Sequence, residues 1–200
     1  MQIMTPSIYQ PSEADMTMQS GVVQYRSARK EHPLAGYARL HESLLRWVTT
    51  FEELSFKPMS LDELILSGSF YQMLSEIDPT YFPHLNPKIV KREPQKLAQD
   101  ITVLKSIYTK LLKNLENWFA VKLDDTIIFD AEMISLKRLI GQKDPSELLF
   151  LTEYILIVAC RGERKDLMIQ RILDLPEEDQ TNLQSLIQRT LAEESASHYG

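Results

Sequence analysis

The segment from Ser146 to Cys160, S-E-L-L-F-L-T-E-Y-I-L-I-V-A-C, constrains this chain more than any other. It opens at Asp144-Pro145-Ser146-Glu147, a strong helix start with aspartate as N-cap, proline at the first helical position and glutamate at the third. It should stop near Gly162, with Arg161 well placed beside the terminal carbonyls. Between these limits the residues are apolar nearly all round, and a helix hydrophobic on every side must be buried on every side. Either the domain wraps it completely, or one stripe is left for a partner's amphipathic helix. The pattern alone favours complete burial. The stretch from Leu148 to Cys160 falls short of the ~20 apolar residues that cross a bilayer and is interrupted by Thr152 and Glu153, so a membrane span is not expected.

Other segments supply helices to do the wrapping. From Tyr37 onward, Leu40, Leu44, Leu45, Trp47, Val48 and Phe51 fall on one broad helical face. Ser60-Leu61-Asp62-Glu63 is a capping box, and the segment it opens turns Leu61, Leu64, Ile65, Phe70, Met73, Leu74 and Ile77 inward. Gly68 weakens its middle, and Asp78-Pro79 ends it. Residues 79 to 93 read as a proline-rich loop. A long helix is expected from about Pro94 to Phe119, on the repeat of Leu97, Ile101, Leu104, Tyr108, Leu111, Leu112, Leu115 and Phe119. Thr126 to Phe129 fits a short strand or an extended link, and Asp130 to Leu139 adds a short helix. Lys165 to Leu173 is a further helix. Pro176-Glu177-Glu178 opens the last one, which carries Leu183, Leu186, Ile187 and Leu191. The class is all-α, with about seven helices. Residues 1 to 36 are rich in Met, Gln, Ser and Thr without a sustained apolar period, and read as a flexible extension. Residues 195 to 200 read as a disordered tail or linker.

Chemistry finds little purchase here. The net charge of −6 gives no overall drive toward nucleic acid or anionic membranes. Cys160 is the single cysteine, and His32, His41, His84 and His198 lack metal-ligand spacing. No phosphate-cradling glycine loop, nucleophile elbow or zinc-protease motif occurs, so no cofactor and no enzymatic activity are expected. The carboxylates Asp124, Asp125 and Asp130 read as a solvated loop and a helix cap rather than a calcium loop. His41 beside Glu42 lacks the third group that would orient a catalytic base. Trp47 reads as a core anchor. Lys88, Lys91, Arg92 and Lys96 form a small basic run, read first as a solvated face and otherwise as a contact for an acidic tubulin or phosphoinositide surface. No secretory signal precedes the helical region, which makes a cytoplasmic location the default.

Three stretches resemble the Hook domain, the calponin-homology-like N-terminal module of Hook-type coiled-coil adaptors. Glu42-Ser43-Leu44-Leu45-Arg46-Trp47-Val48-Thr49-Thr50-Phe51 is similar to the family's E-S-L-L-x-W-(hydrophobic)-x-T-F. Gln72 to Phe82, Q-M-L-S-E-I-D-P-T-Y-F, is similar to its Q-V-L-x-x-I-D-P-x-Y-F. Glu147 to Leu173 lies without gaps along a third family pattern, with matches at Leu148, Ile155, Leu156, Ala159, Glu163, Lys165, Ile169, Gln170 and Ile172. Each motif is weak alone; three in order, at the right distances, are specific, and together they span roughly residues 38 to 192.

The resemblance implies a calponin-homology-like fold with an extra C-terminal helix, occupying residues 37 to 194. It also implies a groove for an amphipathic helix of the dynein light intermediate chain, lined here by Leu149, Glu153, Leu156, Ile157 and Cys160. Linkage of dynein and dynactin to cargo would follow, through a coiled-coil dimer built outside this domain, which alone would be monomeric. The rival expectation is a microtubule- or actin-binding domain using Lys88, Lys91, Arg92 and Lys96. This chain departs from the family at the groove itself. Glu153 stands where the family has glutamine, and Cys160 where it has an aliphatic residue. Exchange of an amide for a carboxylate removes two donors and adds charge, so the preferred peptide is expected to differ.

Overall fold

A computed structural model of the chain describes residues 34–90, 94–123 and 127–197, with the side chains of residues 34–38, 90 and 189–197 left aside. The flexible extension expected for residues 1 to 36 therefore lies, up to residue 33, outside the described residues, and so do Lys91, Arg92, Asp124, Asp125 and Thr126.

Nine α-helices are described: α1 (Leu34–Thr49), α2 (Leu61–Ile65), α3 (Ser69–Ile77), α4 (Pro87–Val90), α5 (Pro94–Gln99), α6 (Ile101–Lys122), α7 (Pro145–Arg161), α8 (Lys165–Leu173) and α9 (Glu177–Ser197). A 3-10 turn at Ala131–Met133 and a π-helical turn at Lys137–Gly141 join α6 to α7. There is no strand among the described residues, and the all-α class stands. No helix among them is long and apolar enough to cross a membrane.

Several boundaries differ from expectation, each for a local reason. α1 begins at Leu34 rather than Tyr37, and α9 runs to Ser197 rather than fading at 194. The segment from Leu61 to Ile77 is two helices, because the chain turns at Leu66 to Gly68, where Ser67 Oγ accepts the Ser69 N–H (3.3 Å). The Ser60 capping box forms as expected on one side, with Glu63 N–H donating to Ser60 Oγ (3.2 Å). The Glu63 carboxylate reaches back one residue further, to the Met59 N–H (2.8 Å). The long helix expected from Pro94 breaks at Asp100, whose side chain accepts the Val103 N–H and caps a new helix. That break turns Ile101 out to solvent, at 48% exposure, instead of inward. The loop before it contains the short helix α4. Ile127 to Phe129 is an extended link, not a strand.

One continuous core unites these elements. Trp47 of α1 and Phe51 just beyond it, Phe70, Leu74 and Ile77 of α3, the apolar residues of α6 from Leu104 to Phe119, and almost all of α7 are buried in it. Polar anchors fix the long helices. Tyr108 of α6 donates to the Ile65 carbonyl (2.8 Å), and burial pushes its phenol well above the ordinary range. Trp118 donates its indole N–H to Asp78 Oδ2 (3.0 Å), while Asp78 Oδ1 accepts the N–H groups of Thr80 and Tyr81. The Asp78-Pro79 stop is thus also a buried tie between α3 and α6. Phe119, Phe129 and Tyr154 form a ring cluster with centroids 4.8 to 5.8 Å apart, which holds the extended link against α6 and α7.

Candidate functional site

α7 begins as its sequence dictates. The Asp144 carboxylate accepts the Ser146 N–H (2.8 Å), and Arg138 of the π-helical turn ion-pairs with it. Burial alone would raise the Asp144 carboxyl, but the hydrogen bonds and charge of Arg138, with the Ser146 N–H, hold it below the usual carboxylate range. Glu147 is buried, accepts the Ser135 N–H (3.1 Å), and lies 3.3 Å from Arg138 Nη1. At the other end Gly162 donates to the Val158 carbonyl (2.8 Å) in an extended conformation, φ −71° and ψ 179°. Its lack of a side chain matters through close approach, since a Cβ there would stand 2.7 Å from the Val158 carbonyl oxygen.

The five side chains expected to face a partner helix share this element, with different exposures. Leu149, Leu156 and Ile157 are at 1% or less, Glu153 is at 2%, and Cys160 is half-buried. The thiol of Cys160 is pushed up by burial, partly offset by Arg161. The stripe is therefore covered in this chain, as the apolar pattern alone favoured. α3, α8, α9 and the π-helical turn all pack on α7. The physical reason is the one the apolar pattern carried: α7 offers no polar face that tolerates water, so the chain supplies its own cover, with Met168 and Ile172 from α8 and Leu183 and Leu186 from α9 all buried.

α9 is held less by α7 than by α1, and the fastening is polar. Asp179, whose side chain is fully buried, receives two parallel bonds from Arg46, Nε to Oδ2 at 2.6 Å and Nη2 to Oδ1 at 2.7 Å. The Ser43 hydroxyl donates to Oδ1 (2.6 Å), and Asn182 Nδ2 donates to the Ser43 oxygen (3.0 Å). The hydrogen bond from Arg46 holds the Asp179 carboxyl below its ordinary range against the opposing effect of burial, and the Ser43 bond adds to it. A second clasp joins α8 to α3. Arg171 ion-pairs with buried Glu76 and lies over the Phe51 ring at 5.2 Å, while Glu76 Oε2 accepts the N–H groups of Glu52 and Glu53, each at 3.0 Å.

Sequence reasoning passed over both clasps. The available signal was Ser43 and Arg46, polar residues three apart inside the apolar run of α1. Their partner lies 133 to 136 residues away, so nothing local named it. Of the basic run, Lys88 on α4 and Lys96 on α5 are exposed, and Lys91 and Arg92 lie outside the described residues. Asp130 caps the 3-10 turn by accepting the Glu132 N–H (2.8 Å), and no metal-binding cluster occurs among the described residues.

Known proteins resemble the chain across this region. A family model described as the HOOK domain matches residues 39–189. Protein Hook homolog 1 of Danio rerio is 27% identical over 161 residues, which is 80% of this chain and 22% of that protein. Protein Hook homolog 1 of Gallus gallus is 27% identical over 157 residues, 78% of this chain and 21% of that one. The chain thus spans about a fifth of the length of these curated relatives. The solution structure of a conserved domain of mouse HOOK1 protein superposes with a TM-score of 0.63 at 24% identity, covering 77% of this chain and 91% of that one, and so shares the fold.

Proposed function

The chain belongs to the HOOK domain family, and from that premise we propose that it is a non-enzymatic adaptor module that receives an amphipathic helix of the dynein light intermediate chain on α7. Such a module would link dynein and dynactin to cargo in the cytoplasm, through a coiled-coil dimer formed outside this region. The observation that supports this reading is the makeup of the cover over α7. Two further helices, α8 and α9, close on a predominantly apolar element, and both are tied down by ion pairs to other helices, α3 and α1, in which the carboxylates Glu76 and Asp179 are buried. A partner's apolar stripe can therefore replace α9's against α7 without leaving α7 wet, provided the Asp179–Arg46 tie yields.

Glu153, buried where the family has glutamine, sets the specificity of this site in our reading. The test is fluorescence anisotropy of a labelled light-intermediate-chain helix peptide titrated with the chain and with Glu153→Gln, a near-isosteric change. Saturable binding that tightens in the Glu153→Gln variant supports the assignment. Absence of binding by both proteins at high micromolar concentration, with circular dichroism showing them folded, rejects it. Substitution of Ile157 is a poorer probe, because at 1% exposure an aspartate there would unfold the core.

A further inference from the structure

The stretch Ile127-Ile128-Phe129 is β-branched and aromatic, the composition of a strand, yet it pairs with no other segment described in this helical fold. Its side chains alternate as a strand's do. Ile127 and Phe129 are 4% exposed, and Ile128 between them is 51% exposed. Asp130 continues the run in extended backbone, φ −113° and ψ 130°. Among the described residues, the N–H and C=O groups of Ile127, Ile128 and Phe129 make no hydrogen bond.

Loops often leave backbone groups to water, and that alone would carry nothing. Residues 56–58 and 83–85 also lack backbone partners among the described residues, but each run holds a proline, which removes a donor and bars a ladder. Residues 127–129 have no proline, and they are fixed in place. The Phe129 ring lies 5.8 Å from Phe119 and 4.8 Å from Tyr154, so the inward side chains are locked into the core. Backbone groups that the fold does not satisfy must reach water, because burial of an unmet donor or acceptor is costly. The result is a short strand edge, held rigid and wet, with the apolar side chain of Ile128 standing beside it.

We propose that residues 127–129 are a docking edge for an extended segment of a partner polypeptide, which adds as a strand and carries β-branched side chains with lysine or arginine at its ends. The free backbone groups select an extended chain, because a helix spends its own N–H and C=O groups internally. Ile128 selects a β-branched or other apolar neighbour across the pair. Charge selects the ends. From Ile127 to Leu136 the chain carries Asp130 and Glu132 and no cation, so a basic-flanked segment is attracted and an acidic one repelled. A second copy of this chain would bring the same carboxylates to the same edge, and charge is a usual device by which strand edges avoid self-pairing. Anchored by Phe129, the edge is pre-organised and loses little freedom on binding. The contact needs no movement of α9, and so stands apart from the helix-binding reading of α7.

The probe is a fluorescein-labelled peptide of about ten residues, alternating threonine and valine between paired lysines, long enough at ~3.3 Å per residue to run past both ends of the link. Titrated with the whole chain, it should bind saturably. The same peptide N-methylated at every central residue keeps its side chains and charges but loses the donors of both edges, and should bind at least roughly tenfold more weakly. Ile128→Lys, at an exposed position, removes the apolar neighbour and repels the peptide's cations, and should weaken binding roughly fivefold. The control Leu167→Lys, the same change in charge at a similarly exposed site on α8, should stay near the parent. No saturable binding by the parent overturns the proposal. So do equal affinities for the plain and N-methylated peptides, equal losses in the two lysine variants, or equal binding of a peptide with glutamates at its ends. Dimerisation of the chain by sedimentation, abolished by Ile128→Lys, would give the edge to a second copy and overturn it too.

Discussion

Two tryptophans show how a single residue's neighbourhood decides what its substitution does. Both Trp47 and Trp118 are wholly buried. Trp118 donates to Asp78, a buried carboxylate that needs the bond, whereas the Trp47 indole N–H finds no acceptor among the described residues. Removal of an orphaned donor relieves a desolvation cost, and removal of a satisfied one leaves its acceptor stranded. Trp118→Phe should therefore destabilise the chain by about 1–2 kcal/mol more than Trp47→Phe, although each loses the same atoms. Urea titrations of both variants check this; equal losses would mean that the indole–carboxylate bond carries no weight.

At the scale of elements, the fastening of α9 to α1 makes a sharper statement. Asp179→Asn keeps the shape but removes the charge that Arg46 grips, and should cost about 2 kcal/mol at neutral pH. The sign with pH follows from the direction of the shift. The folded-state carboxyl is held below its unfolded value, so the parent's advantage is complete above the unfolded range of about 3.9 and is lost as pH falls through the lower folded value. The gap between parent and Asp179→Asn should accordingly be constant from neutral to mildly acid pH and close only in strong acid. A gap that closes instead as pH rises would show that another group holds α9. The turn after α7 works by shape rather than charge. Gly162→Ala should destabilise by roughly 2 kcal/mol, because its Cβ would collide with a backbone carbonyl that cannot step aside.

For the whole molecule, the adaptor reading carries a thermodynamic consequence. A peptide that binds the folded chain and not the unfolded one raises the unfolding free energy by about 2.7 kcal/mol at one hundred times its dissociation constant. The light-intermediate-chain helix should thus raise the melting temperature in a concentration-dependent way, even if α9 moves to admit it. A peptide that saturates by anisotropy yet leaves the melting curve unmoved would point to binding at a surface unconnected with folding. The sequence by itself determined the all-α class, the start and stop of α7, the capping box at Ser60 and the three motifs of the HOOK family, because each depends on residues within a few turns of one another. Its apolar periods also named most of the core. It placed the breaks at Gly68 and Asp100 poorly, since a helix ends where a cap and the neighbouring packing outweigh propensity, and Ile101 followed the wrong side of that break. Only the tertiary structure decided whether the α7 stripe is open and which carboxylate Ser43 and Arg46 hold. Those outcomes depend on contacts between separate elements, as far as 136 positions apart for Ser43 and Asp179, where burial and pairing are fixed by how the helices close on one another and not by any local pattern.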